Sequence, residues 1–287
     1  MNLKEIIREA GNKKTAIGHF NISDLVALKA IFESAQELNV PVIIGTSEGE
    51  AGFVDIEQTA ALIKSLRQEH NFPIFLNADH FHSLEGIKKA VAAGYDAVLF
   101  DAGKLPIEEN IKKTKEVVDY VRSVNPNILI EGELGYIGTS SKIFEGVPEG
   151  VSIKPEDLTT QEQAERFVKE TGVDLLAPAV GNIHGIISSG NPNLDIERIK
   201  QICKTAGASI VLHGGSGISD KDFISAIEAG VSIIHINTEL RIAWRKGVEE
   251  GLAENPKEVA PYKILPEAVE EIKKVVRARL KLFNKLV

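Results

Sequence analysis

Eight short apolar runs alternate with stretches of helical period along the chain, and this rhythm constrains the fold more than any other feature. The runs fall at 15–20, 41–45, 73–77, 96–100, 128–133, 174–178, 209–213 and 232–237. Each has strand length and is bounded by polar or glycine-containing turns. Helical patterns occupy 2–10, 23–38, 56–69, 84–93, 107–124, 161–171, 194–206, 220–229, 238–252 and 264–284. Ser83 is placed to cap 84–93, and Pro106 stands in the first turn of 107–124. Such alternation implies parallel strands joined by right-handed crossovers. Eight units in 287 residues predict a (β/α)8 TIM barrel with extra N-terminal and C-terminal helices, a single domain over 1–287. An open doubly wound sheet would want a glycine-rich phosphate loop after its first strand; His19-Phe20-Asn21 stands there instead.

The rhythm breaks once, at about 134–160, a stretch rich in Gly, Ser and Pro with no helical period. A loop that long in a compact domain is functional or mobile. Composition narrows the function classes. A net charge of -8 argues against a broad nucleic-acid surface, which needs clustered basic residues. Cys203 is the single cysteine, so an intrachain disulfide and a cysteine-rich metal site are both excluded. No apolar run approaches membrane length. The start Met1-Asn2-Leu3-Lys4-Glu5 is charged and amphipathic, unlike a signal peptide, so a cytoplasmic location is the expectation.

A barrel brings the C-terminal ends of its strands to one rim, where ligands and chemistry collect. Here those ends carry Asn21, Ser47, Asp79 with His80, Asp101, Glu131 with Glu133, His184, His213, and Asn237 with Thr238. Three of the seven histidines, His80, His184 and His213, come from three different units and would face a common point. Three neutral imidazoles leave a zinc-type ion one open position, the arrangement of a catalytic site. After the seventh strand, Gly214-Gly215-Ser216-Gly217 offers backbone N–H groups with no side chains in the way. Asn237-Thr238 adds the free N–H groups of a helix start, so a phosphate site is expected at these two strand ends.

Taken in order, Phe20-Asn21, Asp79-His80, Glu131-Gly132-Glu133-Leu134-Gly135, Gly181-Asn182-Ile183-His184-Gly185, His213-Gly214-Gly215-Ser216-Gly217 and Thr238-Glu239-Leu240-Arg241 resemble the class II, zinc-dependent ketose-bisphosphate aldolases. The resemblance runs nearly end to end. It implies Zn2+ on His80, His184 and His213, with Glu133 an alternative ligand and Asp101 either an alternative or a group behind the ligands. It implies Asp79 as the acid/base at the C4 hydroxyl, and a glutamate of the long loop as second proton carrier; Glu145 is the first choice and Glu149 the other candidate. Gly185, Gly214 and Ser216 would hold a phosphate. Asn21, Ser47, Gly181, His235, Asn237, Thr238 and Arg241 would complete the substrate site. A monovalent cation (Na+ or K+) near the phosphate, and a homodimer or homotetramer, follow from the same resemblance. The expected substrate is a ketose 1,6-bisphosphate, fructose 1,6-bisphosphate first and tagatose bisphosphate as the alternative.

Three places depart from the pattern of that family. Phe81-His82 follow Asp79-His80 where small residues are usual. His235 occupies the place of an asparagine. The loop has Thr139-Ser140-Ser141-Lys142 in place of glycines and an acid. Rival readings are a Schiff-base aldolase, a zinc hydrolase built on His80-Phe81-His82, and a non-catalytic phosphosugar-binding protein. The first wants a strand-end lysine, and Lys104 and Lys142 lie in loops. The second has no use for the glycine cradle, and the third none for Asp79 beside three metal ligands.

Overall fold

The structure is a computed structural model that describes residues 2–138 and 140–286, so Thr139 of the loop motif lies outside the described residues. Its strands, in chain order, are β1 (Ile17–Asn21), β2 (Val42–Ser47), β3 (Ile74–Phe81), β4 (Ala97–Phe100), β5 (Leu129–Leu134), β6 (Ile143–Phe144), β7 (Leu175–Pro178), β8 (Ile186–Ile187), β9 (Ser209–Leu212) and β10 (Val231–Ile236). Eight of them close a parallel barrel in the order β1-β10-β9-β7-β5-β4-β3-β2, and β6 pairs with β8 in a separate ladder. The barrel closes because β1 pairs with both β2 and β10.

The helices are α1 (Leu3–Lys13), α2 (Leu25–Leu38), α3 (Glu48–Val54), α4 (Ile56–His70), α5 (Leu84–Ala93), α6 (Ile107–Val124), α7 (Gln161–Thr171), α8 (Ile196–Thr205), α9 (Asp220–Ala229), α10 (Thr238–Glu254), α11 (Pro261–Ile264) and α12 (Pro266–Phe283). Local chemistry fixes their starts. Asn2 with Glu5 and Thr160 with Gln163 form reciprocal capping boxes, and Ser83 caps α5 as its sequence position suggested. The long α12 packs across α10 and α2. Among the described residues no helix is long and apolar enough to cross a membrane.

Strand alternation divides the core in two. Outward residues such as Phe20, Ile44, Leu76, Ile130, Leu212 and Ile234 are buried beneath the helices. Inward residues at the N-terminal end, among them Ile17, Ile43, Phe75, Leu129, Val211 and Ile233, form a second apolar cluster. Helix α1 plugs that end of the barrel with Leu3, Ile6, Ile7 and Ala10. Toward the C-terminal end the lumen turns polar, with His19, Asn77, Asp79, Glu131, Glu133, His213 and His235 all buried.

Three elements depart from the sequence expectation. Strand β3 runs on to Phe81, so Asp79 and His80 belong to the strand and not to a turn after it. Helix α3 fills what read as a loop. Within 134–160, β6 ties the loop back to β8.

Candidate active site

An ideal strand would send Asp79 and His80 to opposite faces. Here β3 slips register against β4 between Ala78 and Phe81, and His80 adopts a left-handed backbone with φ 50°. A non-glycine residue in that region costs on the order of 1–3 kcal/mol, strain that collects at functional sites. The bulge turns both side chains inward, with His80 Nε2 lying 3.8 Å from Asp79 Oδ1.

His80 meets the other two predicted histidines at the rim. Ring centroids are 4.7 Å apart for His80 and His184, 4.8 Å for His80 and His213, and 5.7 Å for His184 and His213. One ligand atom each from His80, Glu133, His184 and His213 falls within 4.8 Å of all the others. For two of the three histidines the outer nitrogen is tied to a carboxylate: His80 Nδ1 to Asp101 Oδ2 at 2.8 Å, and His213 Nε2 to Glu131 Oε1 at 2.7 Å. Such carboxylate partners fix the tautomer and orientation of metal-binding histidines.

With those protons on the outer nitrogens, His80 Nε2 and His213 Nδ1 face each other at 3.0 Å, lone pair to lone pair. That contact needs a cation between the rings. Buried His184 Nε2 and Glu133 Oε2 also find no hydrogen-bond partner among the described residues. The donor set therefore fits a zinc-type ion. A proton can stand in for it: burial lowers the His80 pKa, but Asp79, Asp101 and Glu133 outweigh burial and push it up to about 10. Burial, with His80 and His213 beside it, keeps His184 well below the ordinary range and ready as a neutral ligand. Burial and the neighbouring Asp101 push Glu133 well above the usual carboxylate range. For Asp101, the bond and charge of His80 overcome burial and bring it to about 2.

Asp79 sits beside this cluster. Asn21 Nδ2 donates to Asp79 Oδ2 at 2.8 Å. Oδ1 has no hydrogen-bond partner among the described residues, with His235 Nδ1 3.4 Å away. Burial raises the Asp79 pKa, but His80 and His235 more than reverse this, leaving it well below the usual range and ionised.

A cavity of about 320 Å³ opens above these groups. Its lining includes Gly185, Gly214, Ser216, Asn237 and Thr238. Gly214 (φ 61°) has no room for a side chain, since a Cβ would lie 2.2 Å from Ile183 O. The N–H groups of Gly185, Gly214, Ser216 and Thr238 have no protein acceptor among the described residues, and Thr238 is the first residue of α10. Glycine-loop N–H groups facing a helix start make an anion cradle.

Ser47, Glu48, His82 and Arg241 line the cavity as well. Arg241 is not free: Nη2 donates to Glu50 Oε1 at 2.6 Å and Nη1 to Ser141 O at 3.3 Å. His82 is a wall residue whose N–H donates to Glu48 Oε1 at 3.0 Å.

Gly181, Glu145 and Glu149 fall outside the cavity lining, as do Asp101, Glu133 and His213 of the histidine–carboxylate cluster. Gly181 (φ 98°) serves the backbone, because a Cβ there would lie 2.5 Å from Asn193 O. Glu145 follows β6 directly and is exposed, and Ser141 is the cavity's contribution from the loop. Two residues went unassigned in the sequence. Glu131 orients His213. Buried Glu50 accepts from Asn21 Nδ2 and from Ser47 N and Oγ, each at 2.9 Å, and from Arg241. Ser47-Glu48-Gly49-Glu50 is a capping-box pattern, the signal that could have revealed both α3 and Glu50.

With this geometry in place, a family model described as "Fructose-bisphosphate aldolase class-II" matches residues 1–286. The fructose-bisphosphate aldolase of Geobacillus stearothermophilus is 36% identical over 287 residues, covering 99% of this chain and 96% of the relative. A probable fructose-bisphosphate aldolase of Bacillus subtilis (strain 168) is 36% identical, covering 99% and 97%. Among solved structures, the YdjI aldolase of Escherichia coli K12 aligns with a TM-score of 0.80 at 31% identity, covering 99% of this chain and 96% of that one.

Proposed function

The chain belongs to the class II fructose-bisphosphate aldolase family, and from that premise we propose that it catalyses zinc-dependent, reversible cleavage of fructose 1,6-bisphosphate to dihydroxyacetone phosphate and glyceraldehyde 3-phosphate. The observation that carries this reading is the convergence of His80, His184 and His213 beside ionised Asp79, next to an anion cradle. In this reading His80, His184 and His213 hold zinc, with Glu133 close enough to replace one of them and Asp101 orienting His80. Zinc held there would polarise the ketone and stabilise the charge that cleavage leaves on the dihydroxyacetone phosphate fragment.

Asp79 takes the C4 hydroxyl proton through Oδ1 as the C3–C4 bond breaks. The electron pair of that bond stays with the C1–C3 fragment, the future dihydroxyacetone phosphate, which is then protonated at C3. We assign that proton to Glu145, carried in by movement of its loop. The N–H groups of Gly185, Gly214, Ser216 and Thr238 hold the C1 phosphate, with Asn237 beside them and a monovalent cation helping to balance its charge. Asn21, Ser47, His235 and Arg241 face the rest of the sugar. Among the described residues no lysine lines the cavity, which favours the metal route over a Schiff base. The working state in this proposal is a cytoplasmic homodimer or homotetramer.

One experiment tests the reaction. Chelator should abolish cleavage of fructose 1,6-bisphosphate and added zinc should restore it, while borohydride with substrate traps no adduct. A trapped lysine adduct, or full activity in metal-free protein, refutes it. Faster cleavage of tagatose 1,6-bisphosphate would keep the chemistry and change the sugar.

A further inference from the structure

Beneath the cavity lies a structured group that neither the metal cluster nor the cradle uses. His19 on β1 and His235 on β10 are register partners. Their rings stack face to face, with centroids 3.4 Å apart and planes within 2°. On β2, Gly45 makes this possible: a Cβ there would lie 2.1 Å from His19 Cε1. The His19 ring crosses over that glycine to β3, where Asn77 Nδ2 meets its Nε2 at 3.1 Å. The other face of His235 meets the His213 ring, with centroids 3.8 Å apart. His235 is thus clamped between two rings, and its Nδ1 lies 3.4 Å from Asp79 Oδ1.

The stack cannot be a second metal site, although His19, Asp79 and His235 lie close enough together. Ring lone pairs lie in the ring planes, and two parallel planes 3.4 Å apart do not aim at a common point. The stack can, however, hold a plane. The χ2 torsion of histidine is broad, so an unsupported ring would turn and carry Nδ1 off the carboxylate. His19 is 1% exposed and does not line the cavity, whereas His235 does.

We propose that His19 is a positioning residue for the carbon–carbon cleavage step: stacked on His235, it keeps Nδ1 facing Asp79 Oδ1 while Asn21 holds Oδ2. This rests on the reaction proposed above. It separates the two halves of that reaction, because Asp79 serves the C4 hydroxyl of the six-carbon sugar. Solvent proton exchange into dihydroxyacetone phosphate alone does not call on that hydroxyl.

Wild type, His19→Ala, His19→Phe and Gly45→Ala should be compared in three measurements: kcat and KM for cleavage of fructose 1,6-bisphosphate, proton exchange into dihydroxyacetone phosphate, and bound zinc. His19→Ala and Gly45→Ala should lower kcat for cleavage about tenfold or more, with exchange and zinc content within about twofold of wild type. His19→Phe restores a flat face and should recover most of the lost kcat. Gly45→Ala attacks the ring from its other side and answers the question if His19→Ala does not fold. Wild-type cleavage in both alanine variants overturns the proposal, as does a loss of exchange and zinc in step with cleavage, the mark of a general packing defect. A wild-type protein that neither cleaves nor exchanges refutes the reaction itself, before any variant is compared.

Discussion

At the residue scale, the polar end of the lumen is a set of groups that hold one another's charge states. Asp79 is ionised because His80 and His235 stand against it, so it enters cleavage as a base. Asp79→Asn keeps the shape and removes the base. It should lower kcat about 10²-fold or more, the scale of a lost general acid/base, while bound zinc stays near one per chain. Turnover close to wild type would pass the role to another carboxylate. The neighbouring His80 makes a different prediction. In metal-free protein its pKa stands at about 10, raised above the ordinary 6.5, so at pH 7 it carries a proton that a metal ligand cannot keep. Zinc uptake at pH 7 should therefore release about one proton from this group, seen as a binding enthalpy that varies with the ionisation enthalpy of the buffer. The sign follows from the raised value: release fades as pH climbs through 10. Equal enthalpies in phosphate-free buffers of different ionisation heat would show that His80 is already neutral.

At the element scale, what the sequence revealed and what it hid have separate physical causes. Periodicity is a local signal, so eight strands and their helices were legible, and a barrel then had to bring the histidines to one rim. The bulge in β3 was not legible, because a left-handed His80 is imposed by its neighbours and leaves no mark in a run such as Ile74-Phe75-Leu76-Asn77. Helix α3 was hidden by Gly49 and Gly52, which depress helix propensity although Ser47 and Glu50 cap it. The ladder of β6 with β8 pairs two residues with two, too short for any period to show. That ladder depends on Gly185, where φ is 95° and a Cβ would lie 2.4 Å from the Phe144 ring and 2.6 Å from Lys142 O. Gly185→Ala should release β6, and limited proteolysis should then cut within 140–150 faster than in wild type. An unchanged cleavage pattern would mean that the ladder is held elsewhere. If Glu145 serves the released carbon, Glu145→Gln should slow proton exchange into dihydroxyacetone phosphate much more than it weakens phosphate binding. Wild-type exchange rates in both Glu145→Gln and Glu149→Gln would remove the loop from the chemistry.

At the scale of the whole molecule, stability and chemistry sit at opposite ends of one lumen. The N-terminal half is apolar and sealed by α1, where Ile7 is 3% exposed and packs with Leu3, Ile6 and Ala10 against Ile17, Phe75 and Ile233. The C-terminal half buries titratable groups, and a buried polar cluster is costly wherever its members lack partners. Among the described residues His235 Nδ1, Asp79 Oδ1 and Glu133 Oε2 lack them, so this half is held in place by the barrel more than it holds the barrel. The two halves should therefore respond oppositely to substitution. Ile7→Ala removes buried methyl and methylene groups from a closed cluster and should cost about 2–5 kcal/mol, roughly 5–15 °C in Tm. Its kcat at 25 °C should stay within about twofold of wild type, because no residue of α1 lines the cavity. Asp79→Asn should do the reverse, with a large loss of kcat and a Tm within a few degrees of wild type. Thermal unfolding and steady-state kinetics on the same two preparations decide it. If Ile7→Ala lost activity in proportion to stability, the plugged end would be coupled to the rim, and the lumen would act as one cooperative column instead of two independent layers.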